Sequence, residues 1–319
     1  FYIRPQGLSL EEVREKLGAE DAWIGRVEKR WFGERVEVFE VRCPPTIFPS
    51  LVERAKDVFG GESLLEDDLR FSNRFLLDYD ISPSTWYLAG VEALGEGGGG
   101  VDRVYLLRDL EPLGEEAPPD LSILAFDVLA PPERGEADPE RDPVTAISLA
   151  TPDGFREQIV SGDEAHVLER FLEVVGDLNP DVLVGFGSNE TYWSYLSKRA
   201  EVNGVNLRVG RMGREPHQSL HGHFSISGRI NYDLKDYVDG VVAVQRKTLE
   251  DLAEYLGVYI IPEEDVVDIF WVGDYWRRGG EARKRLLEYS MERAVASAKT
   301  VSYTHLRAHE TRHDLVCRL

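Results

Sequence analysis

The clearest indication of the fold class is the segment Leu121-Ser-Ile-Leu-Ala-Phe-Asp-Val-Leu129. Its apolar residues run almost without interruption, and Asp127 is the one acid among them, a pattern typical of a strand buried on both faces. Two shorter strand-like runs follow it, at residues 145–150 and 155–159. Strands that come first and then alternate with helices predict an α/β (α+β) fold, with a mixed sheet flanked by helices.

The segments after residue 160 supply the helices of that fold. Residues 182–186 form a short apolar run that predicts another buried strand. The runs with helical spacing are residues 166–175, 192–202, 249–256 and 282–298. Their apolar positions recur at intervals of three and four, as in helices that cover a sheet.

Residues 1–118 predict a smaller, mixed α/β amino-terminal domain. Residues 8–17 have helical spacing, with Ser9 as the N-cap and Gly18 as the stop. The turn-rich segment Glu115-Glu-Ala-Pro-Pro119 then marks a boundary. We therefore expect the second domain to span residues 119–300.

Two hairpins and a helix complete the predicted first domain. Strand-like residues 23–27 and 35–41 flank a turn at Gly33. Residues 49–59 form a short amphipathic helix. The four glycines in residues 96–100 predict a flexible hairpin tip, since a phosphate-binding loop would be followed by a helix and the next residues are strand-like.

The two ends of the sequence look unlike parts of a native fold. Residues 301–319 place His305, His309 and His313 in polar sequence without a period, and we interpret this stretch as a non-native tail. A metal-binding helix face made by these three histidines is the alternative. The chain begins at Phe1 without methionine or a leader segment, so its start looks cut.

Composition excludes several classes of protein. No run of about 18 apolar residues is present, so no membrane span is expected. The two cysteines, Cys43 and Cys317, suit neither a disulfide framework nor a thiolate metal site, which indicates a cytoplasmic location. The formal net charge of −21 argues against a broad nucleic-acid footprint but allows a local basic groove.

Several landmarks, in the right order from about residue 1 to residue 300, resemble archaeal-type family B DNA polymerases. Asp68-Leu-Arg-Phe-Ser-Asn-Arg-Phe-Leu-Leu-Asp78 is similar to a helix of the family's amino-terminal domain, and Ile81-Ser-Pro83 follows it as expected. The second half is similar to the family's RNase-H-like 3′–5′ exonuclease domain. Phe71 matches one wall of the family's uracil-sensing pocket, but Arg70 replaces its proline, so we do not carry that function over.

The resemblance implies an exonuclease site that uses two divalent metal ions held by four acidic residues. Asp127 matches the first acid, whereas Leu129 stands where the family has Glu. Counting between the flanking landmarks places Tyr192 at the position of the third acid. On the last motif Tyr289 is retained, and Arg293 replaces the fourth acid. Three of the four metal ligands are thus lost, and we expect no metal site and an inactive exonuclease.

The substitutions suggest their own electrostatic replacement. We expect the Arg293 guanidinium to pair with Asp127, because a buried unpaired carboxylate would be costly. Glu190 and Glu292 lie near two of the lost acids and could rescue metal binding in an alternative interpretation. One residue along a helix is about 100° of rotation, so Glu292 should point away from the direction of Arg293.

Other residues have open interpretations. Tyr192 and Trp193 could stack on single-stranded bases, but aromatic residues that open a helix are usually core. Four arginines in a glycine-rich stretch could line a groove for the DNA backbone, or could belong to a solvated loop; they are Arg208, Arg211, Arg214 and Arg229. His217, His221 and His223 have spacing that could hold zinc, although a surface loop explains them as well.

The sequence therefore predicts the amino-terminal and exonuclease region of a DNA-directed DNA polymerase. We expect it to bind primer-template or single-stranded DNA, to pack against palm, fingers and thumb modules, and to be nucleoid-associated. The substitutions resemble those of an exonuclease-inactivated group of paralogues. No polymerase palm motif occurs within these residues, so no cofactor is expected here and Mg²⁺ is expected for the intact polymerase. An active exonuclease with displaced acids and a non-enzymatic DNA-binding scaffold are the alternatives.

Overall fold

The computed structural model describes residues 1–5, 7–82, 85–97, 103–113, 120–220 and 222–316, with side chains to residue 303. The chain folds into two compact units. The first comprises Phe1–Thr85 and Pro112–Glu115, and the second comprises Trp86–Glu111 and Glu116–Leu319. The predicted boundary between residues 118 and 119 lies outside the described residues. The division into domains of residues 1–118 and 119–300 therefore stays a prediction.

Among its described residues, the first unit contains a four-stranded sheet and three α-helices. Its elements are β1 (Tyr2–Ile3), α1 (Leu10–Leu17), β2 (Trp23–Trp31), β3 (Glu34–Arg42), α2 (Phe48–Phe59), β4 (Leu64–Leu65) and α3 (Phe71–Asp78). The strand order is β2-β3-β1-β4. β3 is antiparallel to both β1 and β2, and β4 is antiparallel to β1. The predicted helices and the predicted β2–β3 hairpin are confirmed.

Local sequence explains how α1 begins and ends. The Ser9 hydroxyl accepts a hydrogen bond from the Glu12 amide, and the Glu12 carboxylate accepts one from the Ser9 amide, which is a capping box. Gly18 ends the helix in the left-handed conformation at φ +55°. Leu17, the last residue of α1, is fully buried in a core that includes Ile3 and Phe39.

The second unit contains the remaining elements. They are β5 (Tyr87–Glu96), β6 (Arg103–Pro112), β7 (Ile123–Leu129), β8 (Ala146–Ala150), β9 (Arg156–Val160), α4 (Glu164–Leu178), β10 (Val182–Gly185), α5 (Trp193–Asn203), β11 (His217–Gln218), β12 (Phe224–Ser225), β13 (Ile230–Asp233), α6 (Leu234–Gly240), α7 (Leu249–Tyr255), α8 (Val272–Arg278) and α9 (Gly280–Val316). β5 pairs with β6, and β11 pairs with β12. Part of the predicted hairpin tip at residues 96–100 lies outside the described residues.

The main sheet of this unit is mixed, as predicted, with the order β13-β10-β7-β8-β9. β13, β10 and β7 are parallel, and β8 and β9 are antiparallel. Alternate residues of β7 face opposite ways. Leu124 and Phe126 pack in one core with α4 and α5, whereas Ala125 and Leu129 pack in another with α6, α7 and α9. Helices therefore cover both faces, and β7 lies at the centre.

Several features were not predicted from the sequence. β13, α6 and α8 have no counterpart among the predicted elements. The interpretation of residues 301–319 as a tail left them out of the fold, whereas the backbone of α9 continues as a helix through Val316. Within the described part of the chain, no helix combines the length and the apolar character that a membrane crossing requires.

Candidate functional site

The site is centred on Asp127, which lies near the carboxyl end of β7. Its neighbours two residues away, Ala125 and Leu129, pack in the core formed with α9. Asp127 is 5% exposed, so its carboxylate requires partners inside the protein. Ser148 lies opposite it on β8, and Tyr192 approaches from the turn that precedes α5.

Three donors converge on the Asp127 carboxylate. The Tyr192 hydroxyl donates to Oδ1 at 2.7 Å and the Ser290 hydroxyl donates to Oδ2 at 2.7 Å. Arg293 donates from Nε to Oδ1 at 3.1 Å, which confirms the predicted ion pair. Ser290 and Arg293 are three residues apart on α9 and therefore lie on the same helix face.

Tyr192 owes its position to the backbone before α5. Residues Ser188–Tyr192 form a single π-helical turn, a feature that often occurs at functional sites. The turn brings the ring against Phe126 at a centroid distance of 5.6 Å, while the hydroxyl reaches Asp127. Trp193, the next residue, is fully buried and donates to the Asn231 side chain. The prediction that both aromatic residues belong to the core is confirmed for Trp193 and holds for the half-buried ring of Tyr192.

A second acid, Glu250, holds the other end of Arg293. Arg293 Nη1 donates to Glu250 Oε1 at 2.7 Å, and the Tyr289 hydroxyl donates to the same oxygen at 2.7 Å. Glu250 lies in the first turn of α7, which Thr248 caps. The guanidinium also lies 5.6 Å from the centre of the Phe186 ring. Arg293 thus bridges two carboxylates inside the protein.

The electrostatic environment keeps these groups in fixed protonation states. Burial raises the pKa of Tyr192 well above its ordinary value, and the charge of Asp127 adds to the effect, so the phenol remains a donor. Burial alone would lower the pKa of Arg293, but Asp127, Tyr192 and Glu250 raise it well above its ordinary value. Burial likewise opposes the charge of Glu250, but Arg293 lowers the pKa of this carboxyl overall.

Leu129, which stands where the family resemblance predicts a metal-binding Glu, has apolar neighbours. Its side chain is 7% exposed and belongs to the core cluster that also contains Tyr289 and Leu286. Tyr289 packs in that cluster too, with its hydroxyl on Glu250. The carboxylate expected from the family resemblance is therefore replaced by a core side chain.

A divalent cation does not fit beside Asp127 as the residues stand. Magnesium binds oxygen ligands at about 2.1 Å, so an ion on Oδ1 would lie within roughly 5 Å of Arg293 Nε. At an effective dielectric constant of about 20, that repulsion amounts to roughly 7 kcal/mol. It would lower affinity by a factor on the order of 10⁴ or more. Among the described residues, no group of three His, Cys, Asp or Glu side chains could hold a metal ion.

The acids considered as substitutes have other partners. Glu190 pairs with Lys235. Glu292 accepts a hydrogen bond from the Tyr259 hydroxyl and lies 3.8 Å from Arg156 Nη1. The expectation that Glu292 points away from Arg293 is confirmed.

Three of the four predicted arginines share a cleft of about 1050 Å³; they are Arg208, Arg211 and Arg229. Arg214 does not line it, although it belongs to the same stretch of sequence. Asn179 receives hydrogen bonds from both Arg211 and Arg229. Arg208, Arg211 and Arg229 thus line one cleft, whereas their binding of DNA stays a prediction.

The histidines predicted as a zinc alternative lie on and near the β11–β12 hairpin. His217 belongs to β11, and His223 Nδ1 lies 3.5 Å from an Asp236 oxygen. His221 lies outside the described residues.

Two residues of the site were missed by sequence reasoning, namely Glu250 and Ser290. Ser290 could have been found, because it lies one helical turn before Arg293 on the same face. Ser290 also shares a hydrogen bond with Ser148 at 2.9 Å. Glu250 reaches the site from a different helix, and no local pattern marks it.

Comparisons with known proteins agree on one family. The family model described as "DNA polymerase family B, exonuclease domain" matches residues 159–251. DNA polymerase 2 of Aeropyrum pernix is 37% identical over 86% of this chain and 36% of its own length, and the DNA polymerase of Archaeoglobus fulgidus is 34% identical over 72% and 28%. The structure of the family B DNA polymerase from Pyrobaculum calidifontis covers 96% of this chain with a TM-score of 0.85 and 32% identity, over 40% of that chain. The chain thus spans between 28% and 40% of the length of these proteins.

Proposed function

We propose a function from the premise that this chain belongs to the family B DNA polymerases: it holds DNA as part of a polymerase and does not cleave it. Its second unit has the RNase-H-like fold of the family's exonuclease domain. In this proposal, an internal ion-pair network has replaced the metal site, and proofreading cleavage is absent.

The observation that carries the proposal is the position of Arg293 between Asp127 and Glu250. Two-metal cleavage needs carboxylates that converge on cations, which activate water and stabilise charge on the phosphate. In this chain Arg293 lies between the two carboxylates instead. Its positive charge is permanent, because arginine does not lose its proton in proteins. In addition, the Asp127 carboxylate accepts hydrogen bonds from the hydroxyl groups of Tyr192 and Ser290.

The argument for DNA rests on kinship and stays a proposal. The relatives with matching folds are named DNA polymerases, and an exonuclease domain that has lost its chemistry can still bind the strand that it once cleaved. We propose primer-template or single-stranded DNA as the partner. Polymerisation by the intact protein, with its Mg²⁺, belongs to the same proposal.

The first test measures cleavage and ion binding together. The wild-type chain and the triple variant Leu129→Glu, Tyr192→Asp, Arg293→Asp would be incubated with a 3′-mismatched primer and Mg²⁺ or Mn²⁺. We expect no shortening by the wild type. We expect the triple variant to gain manganese affinity, measured by calorimetry, and to unfold at a higher temperature when manganese is added.

A fourth substitution controls for contaminating nucleases. Asp127→Asn in the triple variant should abolish any gain in ion binding or cleavage. Cleavage by the wild type that disappears in Asp127→Asn would contradict the proposal and would favour the displaced-acid alternative. If the uncleaved primer fails to bind the wild type in an anisotropy titration, the DNA-holding role is wrong even though the metal site is silent.

A further inference from the structure

The cleft that contains Arg208, Arg211 and Arg229 lies at the opposite end of the parallel strands from Asp127. Asn179 and Arg229 precede the amino ends of β10 and β13. Asp127, by contrast, lies near the carboxyl end of β7, which runs parallel to both. The cleft is therefore separate from the exonuclease-like site.

Its lining is strongly cationic in a protein with a formal net charge of −21. Four arginines line it, because Arg103 of β6 joins the three already described, and the lining residues among the described part of the chain include no acid. Asp181 compensates Arg211 at 2.8 Å. The other arginines of the cleft have no ion pair among the described residues.

Arg229 shows that the positive charge is not neutralised from within. It is half-buried, and its guanidinium donates to Val209 O, Asn179 Oδ1 and Pro180 O, which are all neutral acceptors. Burial lowers the pKa of Arg229 and the nearby charge of Arg211 lowers it further, while the charge of Asp181 opposes part of this shift. A cation in this position would gain stability from an anion in the cleft.

The size and the lining of the cleft suit an extended phosphate ligand. Its volume of about 1050 Å³ lies slightly above the usual range for ligand pockets, about 300–1,000 Å³. Apolar side chains, including Leu172 and Met212, lie beside the arginines. Guanidinium groups in the same lining as apolar side chains match a strand whose phosphates are charged and whose sugars are less polar.

We propose that this cleft binds the phosphodiester backbone of a single strand of DNA, at a site apart from the exonuclease-like site. The inference rests on the proposed role of the chain in holding DNA. The exposed residues Arg103 and Arg208 contact phosphates, while Arg211 and Arg229 shape the cleft through their bonds to backbone oxygens and Asn179.

Two kinds of variant test the cleft without disturbing its frame. Arg103→Ala and Arg208→Ala each remove one exposed cation. Gly176→Glu adds an acid to the lining, since a Cβ atom at this position of α4 would meet nothing within 4 Å and glutamate favours a helix over glycine. The matched controls are Arg214→Ala, an exposed arginine of the same stretch that does not line the cleft, and Gly176→Ala.

The measurement is anisotropy of a fluorescent oligothymidylate at several salt concentrations, with inorganic tripolyphosphate as competitor. We expect Arg103→Ala and Arg208→Ala each to lower the slope of log K against log salt by about 0.7. Gly176→Glu should weaken binding on the order of tenfold, because it sets a negative charge against the phosphates. The two controls should bind like the wild type.

Each other outcome overturns the inference in a recognisable way. Oligothymidylate binding that is unchanged in all three cleft variants places the DNA elsewhere and leaves the proposed function standing. Equal losses in Arg214→Ala indicate a general charge effect. Binding of tripolyphosphate but not of oligothymidylate assigns the cleft to a free phosphate ligand, and binding of neither removes the site and the proposed function together.

Discussion

Arg293 and Arg229 are both partly buried arginines of the same unit, and they are held in opposite ways. Arg293 lies between the carboxylates of Asp127 and Glu250. Arg229 donates to carbonyl and amide oxygens and has no acid of its own among the described residues. The comparison separates a cation that is compensated inside the protein from one whose charge remains available to a ligand.

The largest expected effect is on the compensated arginine. Arg293→Met leaves a buried and a partly buried carboxylate without their cation, and we expect it to lower the free energy of unfolding by about 3–5 kcal/mol. Arg229→Met removes hydrogen bonds to neutral groups, and we expect a loss of about 1–3 kcal/mol. Urea unfolding followed by circular dichroism measures both.

A combined variant sharpens this result. Asp127→Asn with Arg293→Met removes both charges of the pair, and we expect it to be at least about 1 kcal/mol more stable than Arg293→Met alone. If Arg229→Met costs as much as Arg293→Met, the two arginines do not differ in the way described.

The next effect concerns the hydroxyl that Tyr192 donates to Asp127 at 2.7 Å. Tyr192→Phe should cost about 1.5–3 kcal/mol, because the lost hydrogen bond ends on a charged group. The control is Tyr195→Phe, whose hydroxyl donates to the backbone oxygen of Asp142 at 2.7 Å. A neutral acceptor should make that loss smaller, about 0.5–1.5 kcal/mol. Equal losses of stability in the two variants would show that the charge of Asp127 does not strengthen its hydrogen bond with Tyr192.

The pH dependence of stability follows from Glu250. Its pKa is lowered in the folded protein from an ordinary value of 4.5, so the carboxylate contributes stability above that value. This contribution is lost as the pH falls through the folded pKa. We expect Glu250→Gln to remove part of the acid-induced decrease in melting temperature, and an unchanged pH profile would contradict the role assigned to the Arg293 bridge.

The smallest effect is expected for the open cleft. Arg103→Ala and Arg208→Ala remove exposed cations that have no ion pair among the described residues, and we expect each to change the free energy of unfolding by less than about 0.5 kcal/mol. A larger loss in urea unfolding would assign these arginines to the fold rather than to a ligand.

The sequence predicted the exonuclease-like site as far as local patterns reach. Asp127 and Arg293 could be paired in advance, because the family resemblance places both at one metal site and a buried carboxylate requires a partner. Leu129 was recognised from the family resemblance, which has Glu at this position, and the two-residue offset puts it on the same face of β7 as Asp127. The mixed sheet followed from the order of strands and helices.

The rest depends on tertiary packing that no local pattern contains. Glu250 reaches Arg293 only because α7 and α9 pack together on one face of the sheet. Of the four predicted arginines, Arg214 and Arg208 look alike in sequence, yet only Arg208 lines the cleft. β13 was missed because its four residues, Ile230–Asp233, are too short to show alternation.

Asn179 joins the length of a helix to the geometry of the cleft. It ends α4 in the left-handed conformation at φ +43°, and its side-chain oxygen receives both Arg211 and Arg229. Insertion or deletion of one residue in α4 would turn this oxygen by about 100° around the helix axis and disperse the two guanidinium groups. The spacing of the two guanidinium groups therefore depends on the number of residues in α4. Substitutions within α4 should be tolerated more readily than insertions or deletions.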